Sequence, residues 1–74
     1  MDEKLLELIK AATDAEDIDI TEDTEFVDDL ELSSMQFFNL INSIENAFGI
    51  KISDREIQNL ETVGDIIEII EEKK

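Results

Sequence analysis

The chain contains no cysteine, histidine, tryptophan or proline. Without cysteine there is no disulfide and no thiol nucleophile, and the redox compartment stays open. Without cysteine and histidine a zinc finger has no ligands, and a Ser-His-Asp triad cannot be assembled. Basic residues are scarce, with 6 Lys and Arg against 21 Asp and Glu and a net charge of -15. A surface of that sign repels nucleic acid and anionic membranes and steers towards basic patches on proteins. No apolar run approaches the roughly 20 residues that span a bilayer. Met1-Asp2-Glu3-Lys4 lacks the basic and apolar regions of a secretion signal. These absences predict a cytoplasmic protein with no stable membrane insertion and no nucleic-acid partner.

What is present fits one domain over residues 1–74. At this size only about 60% of the unfolded chain's surface can be buried, so stability is modest. The acids are concentrated. Residues 11–50 hold eleven of them and no base: Asp14, Glu16, Asp17, Asp19, Glu22, Asp23, Glu25, Asp28, Asp29, Glu31 and Glu45. Their self-repulsion costs stability at low salt, and divalent cations would relieve it. No D-x-[DN]-x-[DN]-G loop is present, so no metal site is expected. Paired acids alone could suggest glycosidase chemistry. Here they are spread along a solvated loop of a domain too small to enclose a substantial pocket, which argues against an independent enzyme.

Hydrophobic periodicity predicts an all-α fold. The first helix runs over Glu3 to Ala12, with Leu5, Leu8, Ile9 and Ala12 at helical spacing and Leu6 widening the stripe. Asp2 suits its N-cap and Lys10 its C-terminal dipole. A long acidic loop follows from Asp14 to Glu31. Ile18, Ile20, Phe26, Leu30 and Leu32 are the apolar anchors that must pin it, and Val27 is left open. The second helix covers Ser34 to Phe48. Met35, Phe38, Ile41 and Phe48 form one part of its apolar surface, and Phe37, Leu40, Ile44 and Ala47 another. Together they are wider than one core-facing stripe needs. Either both Phe37 and Phe38 fill the core, or one is partly exposed as an apolar docking patch.

Ser33 and Gln36 have capping-box spacing, which makes Ser33 the N-cap and Ser34 the first helical residue. Gly49 is the natural stop, and Ile50 can close it. Ser53-Asp54-Arg55-Glu56 opens a short third helix through Asn59, carrying Ile57, with Leu60 just beyond. Thr62-Val63-Gly64-Asp65 opens a fourth to about Glu71, burying Val63, Ile66, Ile67 and Ile70. Ile50 and Ile52 alternate like a strand but have no partner. The expected architecture is a bundle of three longer helices plus one short helix, with the long loop between helices 1 and 2. The lack of proline and the four start signals agree with it.

The segment 26–35, Phe-Val-Asp-Asp-Leu-Glu-Leu-Ser-Ser-Met, ends the acidic loop and sets two serines at a helix start. With Ile20-Thr21-Glu22-Asp23-Thr24-Glu25 before it, this stretch resembles the approach to the attachment site of acyl carrier proteins and the related peptidyl or aminoacyl carrier domains. Residues 47–54, Ala-Phe-Gly-Ile-Lys-Ile-Ser-Asp, resemble that family's turn between its second and third helices. Residues 60–66, Leu-Glu-Thr-Val-Gly-Asp-Ile, resemble its entry to the last helix. The resemblance covers nearly the whole chain. The family's Asp-Ser-Leu motif falls on Ser33, Ser34 and Met35, with Glu31 where glycine is common.

The resemblance implies that Ser34 receives 4'-phosphopantetheine from coenzyme A through a separate phosphopantetheinyl transferase. The arm's thiol would then hold an acyl or aminoacyl thioester for partner enzymes. It further implies a non-catalytic monomer serving acyl-activating, acyltransferase or synthase enzymes with basic or mixed basic and apolar docking patches. The cargo pathway is left among fatty-acid, polyketide and specialised lipid synthesis, with an aminoacyl or peptidyl carrier as the alternative. Ile41, Ile44, Ile52, Ile57 and Ile66 serve equally as core or as lining for an acyl chain. Ser33 removes the usual acid, and Gln36, Asn39, Asn42 and Asn46 leave Glu45 as the one acid of the second helix. That polar substitution points to a dedicated partner set. Two rival functions are an unmodified carrier-like interaction domain and a small helical regulator responding to calcium or pH.

Overall fold

The computed structural model describes residues 2–13 and 19–73. Ile18, expected as an anchor, and the acids Asp14, Glu16 and Asp17 lie outside the described residues. Four helices follow one another: α1 Glu3–Ala12, α2 Ser34–Phe48, α3 Asp54–Gln58 and α4 Val63–Lys73. This is the expected all-α bundle of three longer helices and one short one, with the long connection between the first two.

Local chemistry sets most of the boundaries. The Asp2 carboxylate accepts the Lys4 N–H at 2.8 Å and starts α1. Reciprocal capping boxes start α2 at Ser33 and Gln36 and α3 at Ser53 and Glu56. At α4, Thr62 Oγ1 accepts the Asp65 N–H at 3.3 Å while Asp65 Oδ2 accepts the Thr62 N–H at 3.1 Å. Gly49 ends α2 in the left-handed region, φ 66°, and Ile50 N–H returns to the Glu45 carbonyl at 3.1 Å. Lys4 reinforces that end from α1: its Nζ donates to the Ala47 carbonyl at 3.2 Å and stands 5.7 Å over the Phe48 ring.

Two boundaries differ from expectation. Helix α3 stops at Gln58, because Asn59 turns to cap it with its N–H on carbonyls of the preceding turn. Helix α4 runs on to Lys73, whose ammonium pairs with Glu56 of α3 at 3.1 Å and suits the negative end of the helix. Ile50 and Ile52 form no strand; they are buried as two anchors of the turn between α2 and α3.

The core is formed by Leu5 and Ile9 of α1, Leu40, Ile41 and Ile44 of α2, and Val63, Ile66 and Ile70 of α4, closed by Ile50, Ile52 and Leu60. Leu8, Ala12, Phe48, Ile57 and Ile67 are half-buried against it. The loop contributes Phe26, Leu30 and Leu32 as buried anchors and Ile20 as a half-buried one, whereas Val27 is 68% exposed.

Backbone bonds tie the loop to the start of α4. Phe26 N–H donates to the Glu61 carbonyl at 3.0 Å, Val63 N–H to Thr24 at 2.9 Å, and Gly64 N–H to Glu22 at 2.8 Å. Gly64 allows this approach, since a Cβ there would sit 3.1 Å from the Glu22 carbonyl oxygen. Thr13, buried at the end of α1, donates its hydroxyl to the Leu30 carbonyl at 3.0 Å. The loop is therefore pinned from both sides just before the two serines.

Candidate functional site

The chain reaches the site through a fixed sequence of turns. Asp29 and Leu30 N–H both return to the Glu25 carbonyl at 3.1 Å, and Asp29 Oδ2 accepts the Glu25 N–H at 2.8 Å. Leu32 N–H returns to the Phe26 carbonyl at 3.2 Å. Buried Leu30 and Leu32 thus bracket Glu31, which points outward with φ 52°. A non-glycine residue in the left-handed region carries strain. This is the position where the resemblance places glycine, the residue that adopts such a φ without strain.

The two serines have different roles in the geometry. Ser33 Oγ accepts the Gln36 N–H at 3.2 Å, and Gln36 Oε1 accepts the Ser33 N–H at 2.9 Å. Ser34 is the first residue of α2 and is exposed, and its hydroxyl has no hydrogen-bond partner among the described residues. The Ser34 and Met35 N–H groups are likewise unpaired among them, because Gln36 N–H goes to Ser33 Oγ and Phe37 N–H to the Ser33 carbonyl at 2.9 Å. Free N–H groups at the positive end of a 15-residue helix favour an anion. No acid stands in the first turn of α2 to oppose one. A phosphodiester on Ser34 fits this end of the helix.

Two exposed apolar side chains follow Ser34 on α2. Met35 is 74% exposed and Phe38 52%, while Phe37 leans inward. The Phe37 ring lies 5.5 Å from buried Phe26 and 6.2 Å from Phe38, so the three rings run from core to surface. The choice between two core aromatics and one partly exposed is thereby resolved: Phe37 packs and Phe38 projects. Glu45, the one acid of α2, is turned onto the Ile52 N–H at 2.8 Å.

The loop carries the charge. Asp19, Glu22, Asp23, Asp28, Asp29 and Glu31 are exposed. Glu25 sits among like charges, and repulsion foremost from Asp28, with burial, Asp29 and Glu61 adding, holds its carboxyl above the usual range. No group of three or more acids among the described residues has an arrangement that would hold a metal ion. No helix among them is long and apolar enough to cross a membrane. The five isoleucines named as core or cargo lining are placed in the core: Ile41, Ile44, Ile52 and Ile66 are buried and Ile57 is half-buried.

Comparison with known proteins agrees with the geometry. The family model for the phosphopantetheine attachment site matches residues 3–70. An acyl carrier protein of Coprothermobacter proteolyticus is 35% identical over 69 residues, covering 93% of this chain and 84% of that one. One from Thermotoga maritima is 31% identical, covering 95% and 86%. A solved structure assigned as an acyl carrier protein of Mycobacterium tuberculosis superposes with a TM-score of 0.71 at 35% identity, covering 89% of this chain and 82% of that one.

Proposed function

Because this chain belongs to the acyl carrier protein family, we propose that Ser34 is the residue that bears its 4'-phosphopantetheine arm. As a member it is a non-catalytic carrier: it holds acyl intermediates as thioesters on an arm borne by a serine, and enzymes act on what it presents. The arm supplies a terminal thiol that forms the thioester.

The observation that carries the assignment to Ser34 is the division between the serines. Ser33 Oγ is engaged in the capping box, while Ser34 Oγ is exposed and unpaired among the described residues. Modification of Ser33 would break a cap worth about 1 kcal/mol. Modification of Ser34 breaks no hydrogen bond and sets the phosphate beside free N–H groups. Ser34 needs no base of its own, since a transferase supplies one. A bond forms from Ser34 Oγ to phosphorus, the pyrophosphate of coenzyme A breaks, the hydroxyl proton passes to the transferase, and adenosine 3',5'-bisphosphate leaves.

The partners follow from the same reading. They are the modifying transferase and acyl-processing enzymes, met in the cytoplasm through basic or mixed basic and apolar patches. The experiment is intact-protein mass after incubation with coenzyme A and a broad-specificity phosphopantetheinyl transferase. Wild type and S33A gain one phosphopantetheine mass, and S34A gains none. A gain in S34A, or none in folded wild type with the source organism's own transferase, overturns the proposal.

A further inference from the structure

The start of α1, the last residue of α2 and the later turns of α4 meet around a solvent-open cleft of about 270 Å³. Buried Leu5 and Ile70 form its floor, and half-buried Phe48 and Ile67 its walls. Ile67, Ile70 and Glu71 reach it together, because residues three and four apart share a helix face. Glu22 is brought to it by the Gly64 N–H, which donates to the Glu22 carbonyl at 2.8 Å three residues before Ile67.

The rest of the lining is acidic. Asp2, Glu22 and Glu71 are exposed, and none has an ion-pair partner among the described residues. Lys4 stands nearby with its Nζ 5.7 Å over the Phe48 ring, but it donates to the Ala47 carbonyl at 3.2 Å. Lys73, further along α4, is paired with Glu56 of α3. Three carboxylates around an apolar floor thus keep their attraction for a cation from outside.

An apolar cavity of about 150 Å³ holds a benzene ring, so this space takes one or two large aliphatic side chains. Anions gain nothing here, which sets aside coenzyme A phosphates, nucleic acid and an anionic membrane surface. Floor and rim are both satisfied by aliphatic side chains flanked by cations, the pattern of a basic amphipathic peptide segment. Ser34 and Phe48 are the first and last of the 15 residues of α2, which sets them about 21 Å apart along its axis.

We infer that this cleft is a docking site, separate from the Ser34 end, for a basic amphipathic segment of an enzyme that handles the carrier. One or two aliphatic side chains of that segment enter over Leu5 and Ile70, and flanking Arg or Lys side chains pair with Asp2, Glu22 and Glu71. The inference rests on the carrier reading for the class of partner, and not on which serine bears the arm. Ser34 stays open while the segment is bound. Such a tether raises the effective concentration of the carrier at its enzyme without covering the end that presents the cargo.

The test uses the full chain and a synthetic peptide of about 14 residues, with leucine at helical spacing and arginine on both flanks. Fluorescence anisotropy gives Kd at about 150 mM salt, where charge is screened over about 8 Å. Amide chemical shifts locate the peptide: the largest changes fall at Leu5, Phe48, Ile67 and Glu71, and Ser34 to Phe38 hardly move. D2N/E22Q/E71Q, in which asparagine still caps α1, weakens binding about fivefold or more. D28N/D29N/E31Q removes as many charges from the loop and leaves Kd within about twofold of wild type. I67A weakens binding about fivefold and I67L restores most of it. Thermal melts establish that each variant is folded, and protein bearing phosphopantetheine binds the peptide as well as unmodified protein.

Equal losses in the rim and loop variants would reduce the effect to net charge and overturn the inference. So would shifts centred on the start of α2 or spread along residues 19–31, no binding by folded wild type, or binding lost on modification. Failure of phosphopantetheine transfer overturns the Ser34 reading alone, since the peptide is titrated first against unmodified protein.

Discussion

Removing one hydroxyl from Ser33 and one from Ser34 should have opposite consequences, and the structure gives the size of each. In S33A the Gln36 N–H loses the acceptor that Ser33 Oγ supplies at 3.2 Å. The other half of the capping box survives, because Gln36 Oε1 accepts a backbone N–H at 2.9 Å that the substitution does not touch. Loss of an N-cap hydroxyl costs about 1 kcal/mol. For a domain of 74 residues the unfolding entropy near the midpoint is about 155 cal/mol/K, so the melting temperature falls by about 6 °C. In S34A no hydrogen bond is lost and alanine is the better helix former, so stability stays within about 0.5 kcal/mol. Thermal unfolding followed by far-ultraviolet circular dichroism measures both. A double-mutant cycle of S33A with Q36A should add a coupling of about 0.5 kcal/mol. Equal melting temperatures for S33A and S34A, or no coupling to Gln36, would refute the division of labour between the serines.

Further outcomes follow from the loop and the helix ends. E31G should raise stability by about 0.5–1 kcal/mol, since relief of the left-handed strain exceeds the added freedom of the unfolded chain; urea titration measures it, and a destabilised variant would contradict the strain. Asp65 is held below the usual carboxylate range by the N–H groups of Glu61 and Thr62. Its stabilisation is complete above about pH 4 and is lost as pH falls through the lowered value, so the deficit of D65A in melts at several pH values should shrink in acid. Glu25 has the opposite sign: like charges, foremost Asp28, raise its carboxyl. E25Q should therefore stabilise at neutral pH, and the gain should vanish as pH falls through the raised value to about 4 and weaken in salt. K4A removes the Nζ bond to Ala47 and the contact with Phe48, and hydrogen–deuterium exchange should quicken in the last turn of α2.

Much of this was legible because local chemistry writes helix starts into a few residues. Ser33-x-x-Gln36, Ser53-x-x-Glu56 and Thr62-x-x-Asp65 each place a boundary without tertiary information, as does the left-handed Gly49. The ends at Asn59 and Lys73 were less so. One depends on a cap that Asn59 makes with its own backbone, and the other on the pairing of Lys73 with Glu56 across two helices. The serine register could be read from the family resemblance and the capping spacing. The engagement of Ser33 Oγ and the freedom of Ser34 Oγ needed the structure. Which of Phe37 and Phe38 packs is decided by the position of Phe26, a residue in the loop. The backbone bonds from Thr24, Phe26 and Gly64 are long-range and leave no periodic pattern. The strain at Glu31 is invisible in composition, because only its φ distinguishes it from any other exposed acid.

The most direct measurement is fragmentation mass spectrometry of the modified wild-type chain, which separates adjacent serines without any substitution. The phosphopantetheine mass should lie wholly on fragments that include Ser34 and be absent from those that end at Ser33. Fragments ending at Ser33 that carry the mass would place the arm on the cap and contradict the assignment.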